Sequence, residues 1–187
     1  MRTFTKSQGA FVLVPEGSHP AQVIGVGFLG FYERVFQNRL KRSEIVGLQY
    51  ELLEPDASDG RYLAITEELT FSTHERSTFS KRLRALLGKE PEDGFEYSNL
   101  LKRPCIITVV HRDWQESTFA NVENVSPPIK GIKVSEPSIT PFLFDIEEAS
   151  SPEEHERLPG KWRKMLERRV GLGARTSVPE VDEDIPF

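Results

Sequence analysis

The sequence predicts a mainly β fold: a five-stranded barrel with a helix between its third and fourth strands, then a C-terminal extension with a short helix and a disordered acidic tail. Three observations support this prediction. Segments rich in β-branched and aromatic residues recur up to residue 126, turn-forming residues separate them, and hydrophobic spacing becomes helical only once among them. Beyond that point prolines become frequent, which indicates an extended segment.

The first three strands are predicted between residues 21 and 71. Ala21–Tyr32 is rich in β-branched and aromatic residues, and in Ser43–Glu54 apolar residues alternate with polar ones. The cluster Pro55–Gly60 ends the second strand, and its final Asp-Gly pair predicts a hairpin to a third strand at Arg61–Phe71. The three segments are therefore expected to pair in sequence.

One helix and two further strands complete the predicted barrel. The helix is predicted from four apolar residues at helical spacing: Phe79, Leu83, Leu86 and Leu87. Pro104–Arg112 is a continuous apolar run, typical of a strand buried on both faces, and Ser117–Val125 is predicted to pair back against it. Five strands with a helix between the third and fourth is the connectivity of the OB-fold, a small, partly open barrel that holds oligonucleotides and oligosaccharides.

The chain divides into three predicted parts. Residues 1–130 form the OB-fold domain, residues 131–170 an extension that packs on the barrel, and residues 171–187 a disordered acidic tail. In the extension, the apolar residues of segment 142–146 need burial against the barrel, and the spacing of Gly160–Arg169 predicts a short helix.

The net charge of −5 comes from the C-terminal quarter of the chain. Residues 1–135 carry 17 basic and 17 acidic residues, whereas residues 136–187 carry 7 basic and 12 acidic ones. A neutral body can still expose a basic stripe, so the acidic total does not exclude an anionic ligand.

Composition excludes several classes of protein. The single Cys105 cannot form an intramolecular disulfide or a CxxC zinc site, and the four histidines lack metal-ligand spacing. No P-loop, nucleophile elbow or HExxH motif is present, so we expect no enzyme, no metal and no cofactor. The N-terminal sequence has neither a signal-peptide cleavage site nor a membrane-spanning run, which predicts a cytoplasmic protein without a membrane partner.

A literal GxGxxG motif is the strongest competing signal. It comprises Gly25, Gly27 and Gly30, and Glu51 stands about where a ribose-binding acid lies in a dinucleotide fold. Such a motif opens a helix, whereas here the following residues continue a β-rich run. Glycines in a strand instead indicate curvature or close approach of backbone, but a small nucleotide-binding enzyme remains an alternative.

Binding to single-stranded nucleic acid needs rings for stacking beside cations for phosphate, and two segments offer both. The first surrounds the predicted turn between strands one and two, and the second the hairpin between strands four and five. Tyr62 is a weaker third candidate, and core rings with a solvated charged edge are the alternative interpretation. The candidate DNA-binding residues are Phe31, Tyr32, Arg34, Phe36, Arg39, Lys41, Arg42, Tyr62, Arg112, Trp114 and Phe119.

Among these candidates, Trp114 and Tyr32 are predicted to stack on bases rather than to belong to the core, because each lies near a predicted turn beside an arginine. The basic residues of the predicted helix are assigned to solvent instead. They are Lys81, Arg82 and Arg84.

The final residues Val181–Phe187 form an acidic run closed by Ile-Pro-Phe. This ending closely resembles the terminal peptide of bacterial single-stranded-DNA-binding proteins, whose tip recruits replication and repair enzymes. The body also resembles a set of short bacteriophage-encoded proteins regarded as OB-fold single-strand binders. The segments that carry this second resemblance are Arg61–Phe71, His74–Ser77, Asn99–His111 and Phe119–Val122.

The resemblance implies a protein that binds and protects single-stranded DNA without strong sequence specificity during phage DNA replication, recombination or repair, in the host cytoplasm. It leaves the oligomeric state open. A flexible acidic segment that ends in a ring can dock in an apolar pocket with a basic rim, whereas the simpler alternative is a solubilising tail. An OB-fold adaptor that binds only protein is a further alternative. The predicted partner-binding residues are Asp182, Glu183, Asp184, Ile185, Pro186 and Phe187.

Overall fold

The computed structural model describes residues 12–148 and 151–169 of the 187-residue chain. These residues form six strands and three α-helices. The strands are β1 (Gly17–Phe36), β2 (Arg39–Pro55), β3 (Tyr62–Thr70), β4 (Pro104–Trp114), β5 (Ser117–Ser126) and β6 (Phe142–Asp145). The helices are α1 (Thr78–Leu87), α2 (Pro152–Glu156) and α3 (Gly160–Leu166), with a 3₁₀ turn at Tyr97–Leu100 before β4.

Strand β1 is the centre of the sheet. The strand order is β3-β2-β1-β4-β5 with antiparallel neighbours, and β6 lies parallel to β1 beside Gly25–Phe28. The mainly β class and the helix between the third and fourth strands are confirmed. In the described residues the ladder does not join β3 to β5, so the sheet is open, and β6 is a strand that the sequence did not predict.

The main core lies on one face of this sheet. It joins the inward residues of β1, β2 and β4 to α1. The N-cap of this helix is Ser77, whose hydroxyl accepts a hydrogen bond from the Ser80 N–H. Phe79 is fully buried and its ring contacts Phe71 and Tyr97 in an aromatic cluster. Burial of these rings fixes the helix against the sheet because each removes a large apolar area from water.

Arg82 joins the two open edges of the sheet. Its Nε donates to both carboxylate oxygens of Glu67 on β3, at 3.0 and 3.2 Å, and its Nη2 donates to the Glu123 carbonyl on β5 at 3.0 Å. The Tyr50 hydroxyl donates to Glu67 at 2.7 Å. Arg82 is 6 % exposed, so its assignment to solvent was wrong: the buried carboxylate of Glu67 requires a cation.

The extension covers the opposite face of β1 and β2. Trp162 of α3 is fully buried there among Leu29, Ile45 and Phe144, and its indole Nε1 donates to Glu68 at 2.9 Å. As a result β1 is buried on both faces from Ala21 to Gly27.

Two glycines make room for this layer. A Cβ on Gly27 would lie 2.8 Å from the Trp162 ring, and one on Gly47, its partner in β2, would lie closer still. Because real Cβ atoms do not approach ring atoms so closely, these positions require glycine for the indole to lie flat on the sheet.

Three further expectations were wrong. Strand β4 alternates buried and half-buried residues instead of being buried on both faces, because its outer face is only partly covered. Leu143 is 48 % exposed, because β6 turns this side chain away from the layer that buries Phe144. The predicted turn after Tyr32 is a longer hairpin, because β1 continues to Phe36 before β2 begins.

The predicted tail at residues 171–187 lies outside the described residues. Among the helices that the structure describes, none has the length and apolar character needed to cross a membrane.

Candidate nucleic-acid interface

The first candidate segment is the end of a protruding hairpin, here named the β1–β2 tip (residues 33–42). Its strands pair in unbroken register from Glu33 opposite Arg42 to Phe36 opposite Arg39. Gln37 and Asn38 close the turn with φ values of 49° and 59°. Two successive residues with positive φ are typical of the type I′ turn, whose twist matches that of a hairpin. The register of the tip is therefore fixed by its turn.

The two faces of the β1–β2 tip differ in chemistry. Side chains alternate along a strand, so Arg34 and the opposite Lys41 share a face with Arg39, while Val35 and the opposite Leu40 share the other. All five of these side chains are exposed. One face therefore offers cations that can contact phosphates, and the other offers an aliphatic pair.

Phe31 lies just below the tip on the aliphatic face. The Arg42 guanidinium carbon lies 4.7 Å from the centre of the Phe31 ring, a cation–π arrangement. The ring is half-buried, so one edge stays accessible beside a cation. Phe36 forms the last pair of the hairpin with Arg39.

Tyr32 is a core residue, and its assignment as a stacking platform was wrong. It is 9 % exposed, packs in the layer that contains Trp162, and donates its hydroxyl to the Leu29 carbonyl at 3.1 Å. Burial raises the pKa of Tyr32, against the opposing effect of the nearby Arg169 charge. Because β1 continues beyond Tyr32, the ring is held between the sheet and the extension instead of at a turn.

The second candidate segment is the β4–β5 tip (residues 112–119). Arg112 pairs with Phe119, and Trp114 lies two residues along the same strand, so the three side chains share the face directed away from the core. Trp114 is 70 % exposed and Phe119 is 50 % exposed. Arg112 lies 3.8 Å from Glu123 and remains mostly exposed. Two accessible rings beside a guanidinium are suited to stacking bases and contacting phosphate.

The two tips project from opposite ends of β1. Val109 of β4 pairs with Gly17, so β4 continues past the start of β1, whereas the β1–β2 tip lies at the end of β1. Tyr62, 37 % exposed, pairs with Pro55 at the same end of the sheet as the β4–β5 tip. An extended ligand that contacts both tips must run along the molecule.

Acidic residues flank the base of the β1–β2 tip. Burial, Glu147 and Asp145, in that order of effect, raise the pKa of Glu44, which places the turn after β6 close to β2. This negative surface disfavours a polyanion along the extension, so the accessible cations are those nearer the turn.

The GxGxxG glycines do not have the geometry of a phosphate-binding turn. Gly25, Gly27 and Gly30 all lie inside β1, and a Cβ on Gly25 would lie 2.7 Å from the Phe142 ring. Glu51 is buried, and it accepts hydrogen bonds from the Ser138 backbone and hydroxyl at 2.8 and 2.7 Å. These residues hold the extension on the sheet, which removes the structural basis for the dinucleotide alternative.

The exposure of Val35 and Leu40 was missed by sequence reasoning. Both belong to a basic segment without a regular apolar period, since Val35 and Phe36 are adjacent and three polar residues separate Phe36 from Leu40. Among the described residues, no group of three or more His, Cys, Asp or Glu side chains is arranged to hold a metal ion. No protein-family model and no curated protein matches the chain.

Proposed function

We propose that the chain binds single-stranded DNA without strong sequence preference, through stacking and phosphate contacts at its two hairpin tips. The strand order β3-β2-β1-β4-β5, with a helix between β3 and β4, supports an OB-fold, whose loops between strands one and two and between strands four and five flank the nucleic-acid site. The two tips occupy those loop positions.

The observation that carries this proposal is the exposure of rings and cations at hairpin ends. Residues 33–42 contain four basic residues and one acidic residue, although the described body as a whole is not basic. Trp114 and Phe119 are large apolar side chains left in water beside Arg112. Stacking on such rings contributes about 1–3 kcal/mol per base, independent of base identity.

The extension limits where DNA can lie. An OB-fold commonly also binds nucleic acid on the face of strands two and three, but Trp162 and its neighbours bury the middle of β2 on that side. The proposed path therefore uses the tips, with the sheet between them as a spacer.

The proposed biological role is protection of single strands during phage DNA replication, recombination or repair. Recruitment of partner enzymes is assigned to Asp182–Phe187, which lie outside the described residues. The acidic segment would dock its terminal ring in a partner's apolar pocket.

Titration of a fluorescently labelled oligothymidine, followed by anisotropy, tests the proposal. Saturable binding that weakens as salt rises is expected, with weak binding to a duplex of equal length. If NAD or ATP displaces the oligonucleotide at concentrations at which other anions do not, the result would favour the nucleotide-binding alternative. Absence of binding to the oligonucleotide at low salt would contradict DNA binding and leave the protein-only adaptor.

A further inference from the structure

The end of the β1–β2 tip carries an aliphatic pair in an unusual position. Val35 is 74 % exposed and Leu40 is 65 % exposed, and the two residues lie directly opposite each other in the hairpin register. Directly opposite side chains have Cβ atoms about 5 Å apart, so the pair forms one continuous apolar surface. The two side chains project into water at the end of the hairpin, where they are available to contact another molecule.

The pair lies on a regular hairpin. Only Phe36, Gln37, Asn38 and Arg39 lie beyond it, and the turn that they form is of the type favoured by hairpins. On the same face, Arg42 packs over Phe31 one step closer to the sheet. The tip is thus a short, closed hairpin rather than an irregular loop.

The face of the β1–β2 tip opposite the aliphatic pair indicates which class of molecule the pair contacts. Arg34 and Lys41 lie opposite each other behind the aliphatic pair, and Arg39 adds a third cation at the turn. A polyanion with apolar surfaces matches this combination, because its phosphates pair with the cations while the exposed end of a base pair covers the aliphatic side chains. The end of a nucleic-acid duplex has both features.

The chemistry of the pair distinguishes it from the β4–β5 tip. Trp114 and Phe119 present flat rings suited to stacking on unpaired bases, whereas Val35 and Leu40 are short and branched. In proteins that bind the minor groove of DNA, apolar side chains such as leucine insert as wedges between base steps and unstack them.

We propose that the β1–β2 tip is a wedge for junctions between single-stranded and duplex DNA. Val35 and Leu40 pack against the terminal base pair, and Arg34, Arg39 and Lys41 hold the phosphates of the strand that diverges from it. This inference rests on the proposed single-strand binding and adds a preferred substrate, the forked end of a duplex. It also assigns the protein a helix-destabilising activity at that end.

The double variant Val35→Ser/Leu40→Ser tests the wedge, because both side chains are exposed and their loss is not expected to unfold the protein. The control is Ile129→Ser, another exposed aliphatic residue, at 68 % exposure and outside the β1–β2 tip. Affinities are measured for oligothymidine and for a fork whose arms have the same total single-stranded length. Opening of the fork is followed with a fluorophore and quencher on its two strands.

The intact chain and Ile129→Ser should bind the fork about tenfold tighter than the oligothymidine, a difference of about 1.4 kcal/mol. The double variant should keep its oligothymidine affinity within about twofold and lose both the fork preference and fork opening. Circular dichroism checks that each variant is folded.

Several outcomes would overturn the wedge. If the intact chain binds oligothymidine but shows no fork preference, the wedge is wrong and the proposed function stands; if it binds neither, the proposed function is wrong as well. Equal weakening of both substrates in the double variant would make the pair a general binding surface. If the double substitution converts a dimer to a monomer and the fork preference is retained, the aliphatic pair is instead a contact between copies of the chain.

Discussion

Single residues determine which rings are exposed to solvent. Trp114 and Tyr32 both stand near hairpins in the sequence, yet Trp114 is 70 % exposed and Tyr32 is 9 % exposed. The difference arises because the extension packs on the face of β1 that carries Tyr32, while no residue that the structure describes covers the outer face of the β4–β5 tip in the same way. Exposure therefore separates a candidate platform from a core residue of similar chemistry.

Substituting Trp114→Ala should weaken binding to oligothymidine by about 1–3 kcal/mol, since it removes one stacking platform. The melting temperature should stay nearly unchanged because the ring is mostly in water. Anisotropy and thermal denaturation measure the two effects. A large fall in melting temperature with unchanged affinity per folded molecule would show that the ring is structural.

Tyr32→Ala should have the opposite profile. The variant loses a buried ring and should be destabilised by about 3–5 kcal/mol, as for other large-to-small core substitutions. Tyr32→Phe is the matched control: it keeps the ring and loses only the hydrogen bond to Leu29, at a cost of about 1 kcal/mol. Urea denaturation measures both values. If Tyr32→Ala loses DNA affinity while its stability is unchanged, Tyr32 contacts DNA and is not a core residue.

At the scale of elements, the open edges of the sheet are held by a buried ion pair. Arg82 of α1 contacts Glu67 of β3 and the Glu123 carbonyl of β5, so one side chain joins three elements. Burial raises the pKa of Glu67 even though Arg82 and Tyr50 oppose the shift. Arg82 thus connects helix α1 to both β3 and β5.

Arg82→Met should cost about 3–5 kcal/mol at neutral pH, because it leaves the Glu67 carboxylate buried without its cation. A carboxyl group whose pKa is raised by folding binds protons more tightly in the folded state, so its contribution to stability falls as pH rises above the unfolded value of 4.5. The variant should therefore be less destabilised at pH 5 than at pH 8 in urea denaturation. Arg82→Met/Glu67→Gln is the control, and it should recover part of the loss and flatten the pH dependence. An equal loss at both pH values in Arg82→Met would contradict this assignment.

Elements were predictable from the sequence where one local pattern decided them. The hairpin around Asp59-Gly60, helix α1 and the pairing of β4 with β5 follow from turn chemistry and hydrophobic period. Contacts from distant segments decided the rest. Trp162 lies more than a hundred residues from Gly47 and Gly27. The sequence around these glycines therefore does not reveal that they make room for the indole ring. The errors at Tyr32 and Arg82 also arise from tertiary contacts, because Tyr32 packs in the layer of Trp162 and Arg82 contacts β3 and β5.

In the whole molecule, the two hairpin tips lie at opposite ends of the sheet, and the extension packs on one face of the sheet. The acidic excess of the chain belongs to residues 136–187, and the cations of the β1–β2 tip belong to the neutral remainder. This separation of charge gives a chain with a net negative charge one basic hairpin tip.

Deletion of Asp182–Phe187 should preserve folding and should preserve or strengthen binding to oligothymidine at low salt, because an acidic tethered segment competes with DNA for cations. The effect should vanish as salt rises, since charge interactions are screened. The control is Phe187→Ala, which keeps every carboxylate and should bind DNA like the intact chain. A deletion that weakens DNA binding would contradict a competing tail.

The central claim is that the β1–β2 tip binds phosphates, and the salt dependence of affinity tests it most directly. The measurement is the slope of log affinity against log salt for the intact chain and for Arg34→Ala/Arg39→Ala/Lys41→Ala. Each lost phosphate contact should reduce the slope by about 0.7, so the triple variant should lose about 2 in slope. Lys81→Ala/Lys130→Ala/Lys133→Ala removes three exposed cations elsewhere and should leave the slope unchanged. An unchanged slope in the tip variant, or an equal loss in both triple variants, would contradict the claim.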